Sequence, residues 1–144
     1  MVKQKEEIKK EKIIFGVGKR KNAVARARIK SGSGRILINN TPLDLVQPEY
    51  SRLKIRESIL LAENLINQVD VNVDARGGGI AGQADATRQA IAKGLVEYFD
   101  NKNLKDKYLE YDRNLLVYDS RRTEPHKPSR SSQGARRHKQ RSKR

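Results

Sequence analysis

Residues 23–30 show a period of two: Ala23, Ala25, Ala27 and Ile29 alternate with Val24, Arg26, Arg28 and Lys30. Such alternation puts one set on each face of a β-strand. One face is then small and apolar, and the other carries a cationic row with steps of about 6.5 Å, comparable to phosphate spacing along a nucleic-acid strand. The same period returns at Val69, Val71 and Val73, interleaved with Asp70, Asn72 and Asp74. These acids would neutralise part of the cationic row if the two strands are neighbours.

Two further strands follow from local signals. Apolar residues 13–17 predict one, followed by a basic loop at 18–22, and Ser31, Gly32, Ser33 and Gly34 predict a hairpin turn into another at 35–39. A short apolar piece occupies 43–46. Helical signals begin near Pro48 and recur over 57–65, then run longest over 81–99, with Ala84, Ile91, Leu95 and Tyr98 on one face, and finish over 104–111. Gly94 costs the long helix about 1 kcal/mol, which close packing on a sheet would offset. A short extended piece is expected at 115–118.

Beyond residue 118 the apolar pattern stops. Residues 119–144 carry ten Lys or Arg against two acids, and Pro125 and Pro128 disfavour helix. Ordering a backbone costs about 1 to 2 kcal/mol per residue, and this segment has no apolar surface to offset it. It is expected to order only against a polyanion. The division predicted is a charged extension at 1–12, a globular domain at 13–118 and an extended basic tail at 119–144.

Charge extends the same reading to the body. The 144 residues carry a net charge of +15, and the part before the tail is basic as well, so body and tail are expected to meet one polyanion. Cysteine is absent, which excludes disulfides, thiolate catalysis and Cys-type zinc sites. No apolar run approaches the roughly 18 residues of a membrane span, and residues 1–12 lack the apolar stretch of a secretory signal. A cytoplasmic protein is expected.

Gly77, Gly79 and Gly82 match G-x-G-x-x-G between a predicted strand and a predicted helix. Three readings stay open: an ordinary glycine turn, backbone approach to an RNA phosphate at the helix N-terminus, and a dinucleotide site. The last lacks a second parallel strand and an acid at its end. Gly16-Val17-Gly18-Lys19-Arg20-Lys21 fails as a phosphate loop, because Arg20 stands where Ser or Thr is needed. The two histidines, His126 and His138, lie in the tail, where no pocket would orient them. Neither catalysis nor a metal centre is expected.

Taken together, residues 16–21, the turn at 32–34, the block Gly77-Gly78-Gly79-Ile80-Ala81-Gly82-Gln83-Ala84-Asp85-Ala86 and the basic C-terminus resemble small-subunit ribosomal protein nine, and residues 119–128 resemble its archaeal version. The resemblance covers about residues 14–144. It implies an α/β (α+β) fold, a four-stranded mixed sheet with helices packed on one face, like the second domain of ribosomal protein five, with a long extended basic C-terminal tail. It also implies a non-catalytic cytoplasmic protein of the small-subunit head. Its partners would be small-subunit rRNA, peptidyl-site tRNA and other head proteins, with no cofactor, membrane or small-molecule substrate.

Residues expected at rRNA are Lys19, Arg20, Lys21, Arg26, Arg28, Gly78, Gly79, Gln83, Arg121, Arg122, His126, Lys127, Arg130, Arg136 and Arg137. Those expected at tRNA are Arg141, Ser142, Lys143 and Arg144, with Arg144 the direct contact the resemblance favours. Members often carry Phe or Tyr near this end, whereas this chain ends Gln140-Arg141-Ser142-Lys143-Arg144. Arg141 would replace ring stacking through its planar guanidinium. A nucleotide-dependent enzyme built on the glycine block, and a free nucleic-acid-compacting protein, are the competing readings.

Overall fold

The period-two segments form the centre of a five-stranded mixed sheet. The computed structural model describes residues 12–125. Its strands are β1 (Ile14–Arg20), β2 (Ala23–Ser31), β3 (Ile36–Ile38), β4 (Thr41–Pro42) and β5 (Val69–Arg76), in spatial order β1-β2-β5-β3-β4. Only β3 and β5 run parallel. One strand more than expected is present, the two-residue β4, too short to show a period.

Ala23, Ala25, Ala27 and Ile29 on β2 and Val69, Val71, Val73 and Ala75 on β5 are all buried. The helices α1 (Glu49–Leu60), α2 (Ile80–Phe99) and α3 (Lys102–Tyr111) pack on this side. α2 crosses β1 and β2 directly, and α1 and α3 flank it. Among the described residues the opposite face of the sheet carries no helix.

Glycine sets how closely α2 approaches. A Cβ on Gly16 would lie 2.1 Å from the Ala90 carbonyl oxygen, and one on Gly18 would lie 2.0 Å from that of Ala86. A Cβ on Gly94 would meet Ile29 Cδ1 at 2.6 Å. Helix backbone therefore rests almost on strand backbone, and the propensity cost at Gly94 is offset by this contact.

Four local expectations need correction. β1 continues through Lys19 and Arg20, because pairing with Ala23 and Val24 leaves only Lys21 and Asn22 as the turn. The helix after Pro48 is a single one, followed by a 3-10 helix at Glu63–Gln68 in place of a second helix over 57–65. Leu115 closes another 3-10 helix, Arg113–Leu115, so it is not extended.

The Ser31 to Gly34 segment is also not a hairpin, since β5 inserts between β2 and β3. The Asp70 carboxylate decides this locally by accepting the backbone N–H groups of Ser33 at 3.0 Å and Arg35 at 3.1 Å. Those two bonds hold its pKa below the usual value of 3.8. A carboxyl lowered in the folded state adds stability above its unfolded pKa, and this is lost as pH falls through the folded value. Asp70→Ala should therefore unfold at lower urea than the parent at pH 7, and the difference should shrink as pH falls below the usual carboxylate value of 3.8 and on through the lower folded one.

Candidate nucleic-acid interface

The uncovered face of the sheet carries the cationic row. Arg26, Arg28 and Lys30 are exposed there, and β5 is indeed the neighbour of β2, with Arg26 opposite Asp74 and Lys30 opposite Asp70. Direct pairing nevertheless does not form, although Lys30 still acts on Asp70 through space. Asp74 pairs with Arg76 at 3.1 Å, and Asp70 is engaged by the backbone of the 33–35 loop. Among the described residues no carboxylate lies within ion-pair distance of Arg26, Arg28 or Lys30.

A second group of cations gathers where the chain leaves the body. The Lys19 N–H, on the outer edge of β1, donates to Gln89 Oε1 at 2.8 Å, and Gln89 Nε2 donates to the carbonyls of Val117 at 2.8 Å and Asn114 at 3.2 Å. Two residues further on, Asp119 forms a parallel bridge with Arg20. The chain is thus laid along β1 from Asn114 to Asp119 by the side chain of Gln89, which is buried despite its polarity.

Arg20 points inward at this junction. Its guanidinium Nη1 lies 2.6 Å from Asp119 Oδ2, a close ion contact without hydrogen-bond alignment, and its Nε lies 3.8 Å from Asp85. Asp119 also accepts the backbone N–H and guanidinium of Arg121. The Arg121 bonds, with Arg20 added, hold its carboxyl well below the usual carboxylate range. Next to this network, Lys54 and Arg88 meet Asp85, and Arg88 also meets Glu57 at 2.6 Å and Asp112 at 2.7 Å.

Beside the anchor runs a groove lined by Val17, Lys19, Gln89, Lys93, Tyr118 and Arg122. It holds three cations and no acid. Burial, and then repulsion from Lys19, push the Lys93 amine below its usual pKa of 10.5. An anion in the groove would oppose this shift by favouring the charged amine. Sequence reasoning did not single out Lys93, because on a helical pattern it reads as one solvent-facing lysine of α2.

The remaining expected residues separate into two places. Lys21 is exposed at the tip of the β1-β2 turn with φ of 51°. Gly77 and Gly78 take positive φ, Gly79 caps α2 with open space around its Cα, and Gln83 Nε2 donates to the Gly77 carbonyl at 3.1 Å. A Cβ on Gly78 would meet Ala23 N at 2.9 Å, so the glycine block sits against the start of β2, near the Lys21 turn. α2 leads into α3 and not into a second parallel strand, which removes the fold context that a dinucleotide site requires. His126, Lys127, Arg130, Arg136, Arg137, Arg141, Ser142, Lys143 and Arg144 lie outside the described residues, as do residues 1–11.

Among the described residues no group of three His, Cys, Asp or Glu is placed to hold a metal ion, and no helix is long and apolar enough to cross a membrane.

Comparison with known proteins agrees with the chemistry of these surfaces. A family model described as Ribosomal protein S9/S16 matches residues 18–144. Proteins named small ribosomal subunit protein uS9 from two strains of Methanococcus maripaludis are 51% identical over 131 residues, covering 91% of this chain and 98% of theirs. The protein of that name from Methanococcus vannielii is 48% identical over the same coverage.

Proposed function

The chain belongs to the ribosomal protein S9/S16 family, and on that premise we propose that it is a structural, non-catalytic, RNA-binding component of the small ribosomal subunit in the cytoplasm. The body, residues 13–118, docks on small-subunit rRNA, and the tail, residues 119–144, runs on through the subunit head toward peptidyl-site tRNA. The observation that carries this reading is the attachment of the leaving chain to β1. It places the start of the basic segment, Arg121 and Arg122, beside the groove of Lys19 and Lys93, on the edge strand that borders the open cationic face.

Lys19, Lys21, Arg26, Arg28 and Arg122 supply phosphate contacts, and Gly78, Gly79 and Gln83 let the start of α2 approach a backbone phosphate. Arg20 serves differently, since its charge is committed to Asp119 and Asp85. It fixes the direction in which the tail departs. His126, Lys127, Arg130, Arg136 and Arg137 continue along rRNA. Arg141, Ser142, Lys143 and Arg144 reach phosphates of the tRNA, with neighbouring head proteins around them. Planar guanidinium forks suit phosphate oxygens bidentately, and counterion release makes such binding steeply dependent on salt.

Truncation separates the two jobs. Subunits reconstituted with a chain lacking Ser142, Lys143 and Arg144 are expected to sediment normally yet to hold peptidyl-site tRNA less tightly in filter binding. Equal tRNA affinity for intact and truncated subunits would refute the role given to the terminus. Failure of the intact chain to sediment with small subunits after a salt wash would refute the ribosomal reading as a whole.

A further inference from the structure

Ile13, just before β1, and Phe15 and Val17 within it occupy alternate positions, and all three are exposed, Phe15 by 64%. Across the β1-β2 pairing, Phe15 faces Arg28 and Val17 faces Arg26, and Lys30 follows on the same face. The open face therefore bears two adjacent rails, apolar on the edge strand and cationic on its neighbour. Positions within a rail are about 6.5 Å apart, and facing side chains start about 5 Å apart at Cβ.

We infer that this face binds single-stranded RNA running along the strands, with an unpaired base stacked on Phe15 and adjoining phosphates on Arg26 and Arg28. The inference rests on the rRNA-binding reading above and adds the kind of RNA and the manner of its recognition. A single strand presents an apolar base face and an anionic phosphate in every repeat unit, so it answers both rails at once. A duplex keeps its bases stacked inside and would leave Phe15 against sugar and phosphate. A protein partner could cover the apolar rail, but it would have to bring carboxylates to Arg26 and Arg28 or leave two charges desolvated. Arg28, directly opposite Phe15, is placed to flank the same base with its guanidinium plane.

The test uses the full chain with Phe15→Ala and Phe15→Tyr substitutions. Phe15 contributes an exposed ring, so all three proteins should give superimposable far-ultraviolet circular dichroism and melting curves. A twelve-residue oligouridylate and a twelve-base-pair RNA duplex serve as probes in fluorescence anisotropy at low salt. Phe15→Ala is expected to weaken oligouridylate binding by about fivefold or more, to leave duplex binding unchanged and to be rescued by Phe15→Tyr. A 4-thiouridine probe should crosslink to the peptide containing Phe15, a readout that tail binding does not mask.

Equal loss for both probes, or no loss together with no crosslink, would overturn the inference. So would a photoreactive residue at position 15 that crosslinks to a protein in assembled subunits. None of these results would disturb the ribosomal reading, which stands or falls on sedimentation of the unaltered chain.

Discussion

Replacing Gly18 with alanine should lower the melting temperature of the protein by about 10 to 20 °C. The added methyl would lie 2.0 Å from the Ala86 carbonyl oxygen and 2.7 Å from the Ala90 nitrogen. Both are backbone atoms of one helix, so no side chain can rotate aside. β1 and α2 must separate along their contact, which loosens the packing over Ala25 and Ala27 as well. Overpacking commonly costs about 1 to 3 kcal/mol, and with only backbone to move the upper end is expected. That is a large share of the roughly 5 to 15 kcal/mol that holds a domain folded. Gly79→Ala is the control, because no atom lies within 4 Å of its added methyl and its φ of −100° suits any residue. Its melting curve should nearly overlay the parent's.

Arg88→Ala has the second largest expected effect. Arg88 keeps 12% of its side-chain surface in water and meets Glu57 of α1, Asp85 on its own helix, and Asp112 at the end of α3. One guanidinium thus ties three helices. Its removal takes the cation from Glu57 and Asp112 and leaves Asp85 to Lys54 and, at 3.8 Å, Arg20. Breaking a fully buried pair costs about 3 to 5 kcal/mol, and these carboxylates remain partly solvated, so about 2 to 3 kcal/mol is expected. The urea midpoint should fall with little change in slope. Arg88→Lys should recover only part of the loss, since an ammonium cannot present a planar fork to several acceptors.

Period alone made much of the fold legible. The alternations at 23–30 and 69–73 and the long helical run at 81–99 all describe which side of an element is buried, and burial followed them at Ala25, Val71 and Ile91. The supposed hairpin at 31–34 failed because the insertion of β5 is a pairing between residues almost forty positions apart, which turn chemistry does not register. The reach of β1 through Arg20 was missed for a related reason: a basic tripeptide reads as loop until its partner strand is known. Candidate cations were readable from charge, but their state was not. Arg20 turned out to be tied down, Arg26 and Arg28 to be unpaired, and Lys93 to stand in a cationic groove. Phe15 is one of the apolar residues of the predicted strand at 13–17, and its exposure follows from lying on the side of the sheet that no helix among the described residues covers.

Sheets end in rows of unsatisfied amides and carbonyls, which invite pairing with other chains. Here Gln89 and the bridge to Asp119 engage Lys19 and Arg20 at the end of one margin, and the other finishes in the stub Thr41–Pro42, where proline offers no donor. Both devices shorten the length of free edge with which a second copy could pair.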